Sequence, residues 1–166
     1  MRKQFIPIGI LISSLIFIFF IDSSHSFILL ITKLIPMLLI SLYAARQTPA
    51  QKSILIGLLF CALGDALIIF SFLPGLAAFL IGHVCYIYAF IKQWQFSWIR
   101  LSILIPLVIF GAYMWTSLIS SLQINGGNAL IVPVILYLII ISLMVFSAFQ
   151  TRNPSLYFGS ILFLIS

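Results

Sequence analysis

The sequence predicts an all-α polytopic membrane protein, a helical bundle of six complete transmembrane helices followed by a truncated seventh. Three observations lead there. First, the 166 residues are 64% hydrophobic and only 6% charged, whereas a soluble domain carries about 25% charged residues. So little polar surface cannot coat a globule in water. Second, the apolar runs are continuous and about 17–20 residues long, as membrane-spanning helices require. Strands of a membrane barrel would instead alternate apolar and polar over about ten residues. Third, the basic residues stand singly or in pairs between the runs, the positions where they set orientation.

Taken in order, the spans are expected at 5–21, 27–45, 53–72, 75–91, 99–121, 129–149 and, partially, 155–166, and 1–166 reads as one transmembrane domain. The first follows Met1-Arg2-Lys3 and exceeds the usual core of about 7–15 residues of a signal peptide. It is therefore read as an uncleaved span, despite the weak small-x-small site Ser24-His25-Ser26. Asp22 and His25 fall in a short solvated turn. The second span contains Lys33 and Pro36. The third and fourth form a hairpin expected to turn tightly at Leu73-Pro74-Gly75. Trp94 and Trp98 mark the next loop as interfacial. Pro106 and Pro133 lie near span ends, where they cost little. QINGGN at 123–128 is an uncharged Gly/Asn turn. The final run, SLYFGSILFLIS, is about a dozen residues, too short to cross a bilayer core. The chain is thus expected to be part of a longer parent, which completes span seven.

Numbering the loops alternately from an inside amino terminus places Arg2, Lys3, Arg46, Lys52, Lys92, Arg100 and Arg152 inside, and no Lys or Arg outside. Only Lys33 is left over, within a span. This positive-inside pattern puts the amino terminus in the cytoplasm and the protein in the inner membrane of a bacterial-type cell. The net charge of +6 is therefore a topology signal. It forms no basic patch, so a nucleic-acid partner is not expected. Cys61 and Cys85 fall inside spans and read as small buried apolar residues. Two Cys and two His at these spacings match no zinc pattern, and no metal is expected.

The functional signal is a set of ionisable groups where lipid-compatible side chains belong. An intramembrane charge is costly and marks a site by default. Measured from the expected outer ends of their helices, Asp65 lies about 12 Å deep, His83 about 15 Å and Lys33 about 9 Å. Three helices thus place an ionisable group in one layer, as a shared polar cavity would require. Gly57 and Cys61 put small residues on the face of Asp65, and Ala78 and Gly82 put them near His83. Such stripes let helices approach closely or leave room for a ligand. Tyr86, three residues after His83, shares its face. Each residue also has a plainer reading: Lys33 snorkelling to the interface, His83 and Tyr86 as packing residues, Asp65 as a structural polar group.

These residues carry a resemblance. Lys33-Leu34-Ile35-Pro36, Gly64-Asp65, Gly82-His83 with Tyr86, VPVILYLIIISLMVFSA at 132–148 and FGSILFLIS at 158–166 together resemble the YhhN-like family, which includes the lysoplasmalogenases. The likeness runs from about Lys33 to the last residue. It implies an eight-helix fold, no cofactor, and hydrolysis of the vinyl ether bond of lysoplasmalogens to a fatty aldehyde and a glycerophospho-head group. The partners implied are a lysophospholipid substrate and the bilayer itself. Lys33, Asp65, His83 and Tyr86 fall on the family's polar positions. In the family an aspartate follows the serine matching Ser166, so a chain ending there is expected to be inactive.

Vinyl ether hydrolysis needs a proton donor and an anion to stabilise the oxocarbenium ion. Two carboxyl groups in one low-dielectric cavity can divide those roles. Asp65 and the family aspartate are the expected pair, with His83 orienting water or relaying protons. Lys33 would hold a carboxylate ionised or meet the substrate's phosphate. A transporter or proton relay using the Asp–His pair, and a membrane protein without chemistry, are the alternatives. The first is weakened by the lack of matched broken-helix signals in two halves.

Overall fold

The computed structural model describes residues 12, 26–45, 52–124, 128–151 and 153–165. The expected first span, 5–21, lies outside them save for residue 12, as do Arg2, Lys3, Arg46 and Arg152. The described residues form six α-helices: α1 (Ser26–Ala45), α2 (Lys52–Leu67), α3 (Phe72–Ile91), α4 (Leu104–Ile124), α5 (Ile131–Phe149) and α6 (Pro154–Ile165). Short 3₁₀ turns at Ile99–Ile103 and Asn128–Leu130 lead into α4 and α5. No strand occurs among the described residues.

Among the described residues three helices are long and apolar enough to cross a membrane: Phe72–Ile91, Ile99–Leu118 and Ile131–Phe149. They coincide with the spans expected at 75–91, 99–121 and 129–149 within a few residues. The expected spans 27–45, 53–72 and 155–166 appear as helices α1, α2 and α6, the last two of 16 and 12 residues.

One turn differs from expectation. The chain reverses at Ile68–Ser71, where Ile68 N–H donates to Gly64 O (2.9 Å) and Ser71 N–H to Leu67 O (2.9 Å). Leu73, Pro74 and Gly75 lie inside the first turn of α3. The reason lies in helix ends. The first N–H groups of a helix have no acceptor within it, so a proline there removes nothing and its ring meets no preceding turn. Pro106 in α4 and Pro133 in α5 occupy the same third position, and Pro154 is the first residue of α6. The prolines therefore open helices here. Pro36 is the exception, buried within α1.

The chain divides into two compact units, Met1–Gly82 and His83–Ser166. In the first, α1 packs on α2, and α2 turns Gly57, Leu58, Cys61, Ala62, Gly64 and Asp65 inward. Ile56, Leu59 and Leu63 stay exposed on the other side of the helix. The opening of α3 lies close against α2. A Cβ on Gly82 would sit 2.8 Å from Cys61 Sγ and 2.9 Å from the carbonyl oxygen of Gly57, and one on Gly64 would sit 2.9 Å from the Phe79 ring. The small residues thus allow near-backbone contact, where dispersion substitutes for the hydrophobic drive that lipid does not supply.

In the second unit α5 is central, packing on α4 and α6. Its inward face is Val134, Ile141, Met144, Val145 and Ala148. Only 6% of the Ile99–Leu118 window is buried, against 28% of Ile131–Phe149, so α4 is the peripheral helix of this unit. At the foot of α5, Gln150 joins two loops. Gln95 N–H donates to Gln150 O (2.9 Å) and Ser97 N–H to Gln150 Oε1 (3.2 Å). Arg100 Nη1 donates to Gln150 O (3.3 Å) and Thr151 O (2.9 Å). These carbonyls lie just past the last helical residue, Phe149, where a cation complements the helix dipole.

Candidate functional site

Asp65 is on α2, two residues before its end at Leu67, and 8% exposed. The relocated turn sets it about 3 Å from the end of its helix, not eight residues below a turn at Leu73. His83 lies eleven residues into α3 and is fully buried, and Tyr86, one turn later, is 4% exposed. Lys33 lies on α1, but its side chain is outside the described part of the chain. Asp65 belongs to one unit and His83 to the other.

Within the second unit His83 sits among aromatic rings. Its centroid is 6.0 Å from that of Tyr86, edge to face at 83°, and 5.4 Å from that of Tyr137, edge to face at 88°. Tyr86 continues the cluster by stacking on Phe90 at 6.4 Å. Edge-to-face geometry places the positive rim of one ring on the negative face of the next. Tyr137 comes from α5, so two helices build the surroundings of the imidazole.

Sequence reasoning missed Tyr137. Its signal was a hydroxyl-bearing ring in the middle of an aliphatic run, where Ile and Leu fill the neighbouring positions. A Tyr in the middle of an apolar run normally has a reason to be there, since its O–H seeks a partner.

Cys61 is fully buried and lies against Gly82, which agrees with a packing role. Among the described residues no group of three or more His, Cys, Asp or Glu side chains is placed to hold a metal.

The family model described as the YhhN family matches residues 28–166. The chain belongs to the YhhN family. The matched range contains Lys33, Asp65, His83, Tyr86 and Tyr137, so every residue considered for the site lies within the family's part of the chain. Comparison with curated proteins and with solved structures found no match. Family membership and three helices of spanning length and apolarity are together those of a membrane protein.

Proposed function

We propose that this chain is a multi-pass membrane hydrolase of the lysoplasmalogenase type, with its amino terminus in the cytoplasm. The observation that carries the reading is the burial of Asp65 and His83 on helices of a chain with two acidic residues in all. Buried ionisable groups in a membrane protein cost stability and are retained for chemistry or transport. The vinyl ether specificity comes from the family resemblance.

In the proposed reaction a proton adds to the β-carbon of the vinyl ether, and the resulting oxocarbenium ion is stabilised by a carboxylate. Water adds to the α-carbon, the one bonded to the ether oxygen, and loses a proton to give the hemiacetal. The hemiacetal then breaks its C–O bond to give a fatty aldehyde and the free hydroxyl of the glycerophospho-head group. Asp65 serves as one of the carboxyl groups. His83 orients the water or relays its proton, held in place by Tyr86 and Tyr137. Lys33 pairs with a carboxylate or with the substrate's phosphate. No cofactor enters the scheme.

The test is aldehyde release from a lysoplasmalogen by the purified full-length parent protein, with a saturated ether lysolipid as control. Asp65→Asn should abolish release while leaving membrane insertion intact. Undiminished turnover in that variant would remove Asp65 from the mechanism. Movement of a substrate across the bilayer without aldehyde would favour transport.

A further inference from the structure

We infer that the cleft between the α3–α4 loop and the α5–α6 corner is a binding site for the phosphate head group of an anionic glycerophospholipid. The cleft has a volume of about 530 Å³ and is lined by Lys92, Gln93, Trp94, Gln95, Asn153 and Pro154. The inference is independent of the hydrolase reading. It uses only the membrane placement of the helices and the positive-inside orientation.

The lining is made for an anion. Lys92 supplies an ammonium, Gln93, Gln95 and Asn153 supply amides, and Trp94 an indole N–H. Asn153 Oδ1 already accepts from Ser155 N–H at 3.1 Å, which leaves its NH₂ as the group to offer a ligand. No acidic residue lines the cleft, and the chain has only Asp22 and Asp65 to offer. A zwitterionic head group would thus find no counter-ion for its ammonium.

The position selects a lipid over a soluble anion. The cleft lies just past the ends of α3 at Ile91 and α5 at Phe149, two of the helices with spanning length and apolarity. That is the level of lipid head groups, where Trp is favoured. The loops Lys92, Arg100 and Arg152 share are the ones assigned to the cytoplasmic side, whose leaflet carries the anionic lipids. The volume is in the range of sites that enclose a small molecule rather than a bare ion.

The walls are built. Trp94 packs edge to face on Phe146 with centroids 5.7 Å apart. Gln95 N–H is tied to Gln150 O at 2.9 Å, and Gln150 is fully buried. The Lys92 ammonium rests 4.3 Å from the centroid of Tyr88, a cation–π contact that holds its charge beside the cleft.

The experiment is native mass spectrometry of the protein released from nanodiscs of equal phosphatidylglycerol and phosphatidylcholine. Wild type should retain phosphatidylglycerol in clear preference. Lys92→Gln should lower that preference about fivefold, the effect of one basic residue at the surface. Lys52→Gln, which removes the same charge from the start of α2, should leave it unchanged. Gln93→Glu, at an exposed position, should lower it as Lys92→Gln does, and serves if that variant does not fold. Equal retention of both lipids by wild type overturns the inference. So does equal loss in the Lys92 and Lys52 variants, which would mean diffuse attraction. Displacement of the retained lipid by millimolar inorganic phosphate would make this a free-anion site and overturn the lipid assignment.

Discussion

His83 shows how one residue acquires a role from its neighbours. On its own helix it is a histidine among apolar side chains. The ring of Tyr137, 5.4 Å away on α5, turns it into part of a cluster. Tyr137→Leu removes the aromatic pair and should cost about 0.5–1.5 kcal/mol, seen as a lower midpoint of thermal unfolding in detergent. Gly82 and Gly64 give a second comparison. The Cβ of Gly82→Ala would press on the backbone oxygen of Gly57, whereas that of Gly64→Ala would press on the ring of Phe79. Overpacking of this kind costs about 1–3 kcal/mol, and the backbone contact is the less able to yield. Gly82→Ala should therefore unfold at the lower temperature of the two.

Among the elements, four helices, α3 to α6, carry a proline in their first turn, and an arginine holds the foot of α5. Arg100 donates to two carbonyls at the end of α5. Hydrogen bonds from a charged donor contribute about 1.5–3 kcal/mol, discounted here because Arg100 is only half-buried. Arg100→Gln should thus lower stability by about 1–2 kcal/mol and loosen the α3–α4 loop, which amide exchange at Gln95 and Ser97 would register. Undisturbed exchange there would show that the backbone bond from Gln95 to Gln150 suffices. The hairpin is instructive too. Leu73-Pro74-Gly75 looked like a turn because Pro and Gly disrupt helix interiors. The pair is instead absorbed by a helix start, and Gly75 comes within 2.8 Å of the Ile68 backbone for any added Cβ. Gly75 serves close packing of the reversed chain and not the reversal itself.

At the scale of the whole molecule the prediction concerns sidedness. In a cysteine-free variant, a single cysteine at Ser71 should react with an impermeant maleimide on intact cells. One at Gln93 should react only after the membrane is opened. The reverse result would invert the orientation drawn from the basic residues. Much of the architecture was legible beforehand. Composition excluded a soluble globule, and three of the expected spans coincide with helices of spanning length and apolarity. The candidate site was legible only in part. Asp65 and His83 stood out because ionisable groups are rare in such runs, and both are buried. Tyr137 and the Gln150–Arg100 junction did not stand out, because each residue is unremarkable until its partner from a distant segment is known.

The sequence by itself determined the solvent of this protein, three segments of spanning length and apolarity, and the family to which the residues point. These follow from sums over local stretches, which transfer energies fix without reference to pairing. Only the tertiary structure decided that His83 meets Tyr137, that Arg100 closes the end of α5, and that Pro74 begins a helix. The physical reason is that every face of a lipid-embedded helix is apolar. Periodicity then says little about which face turns inward, and rotation and register are settled by contacts between helices.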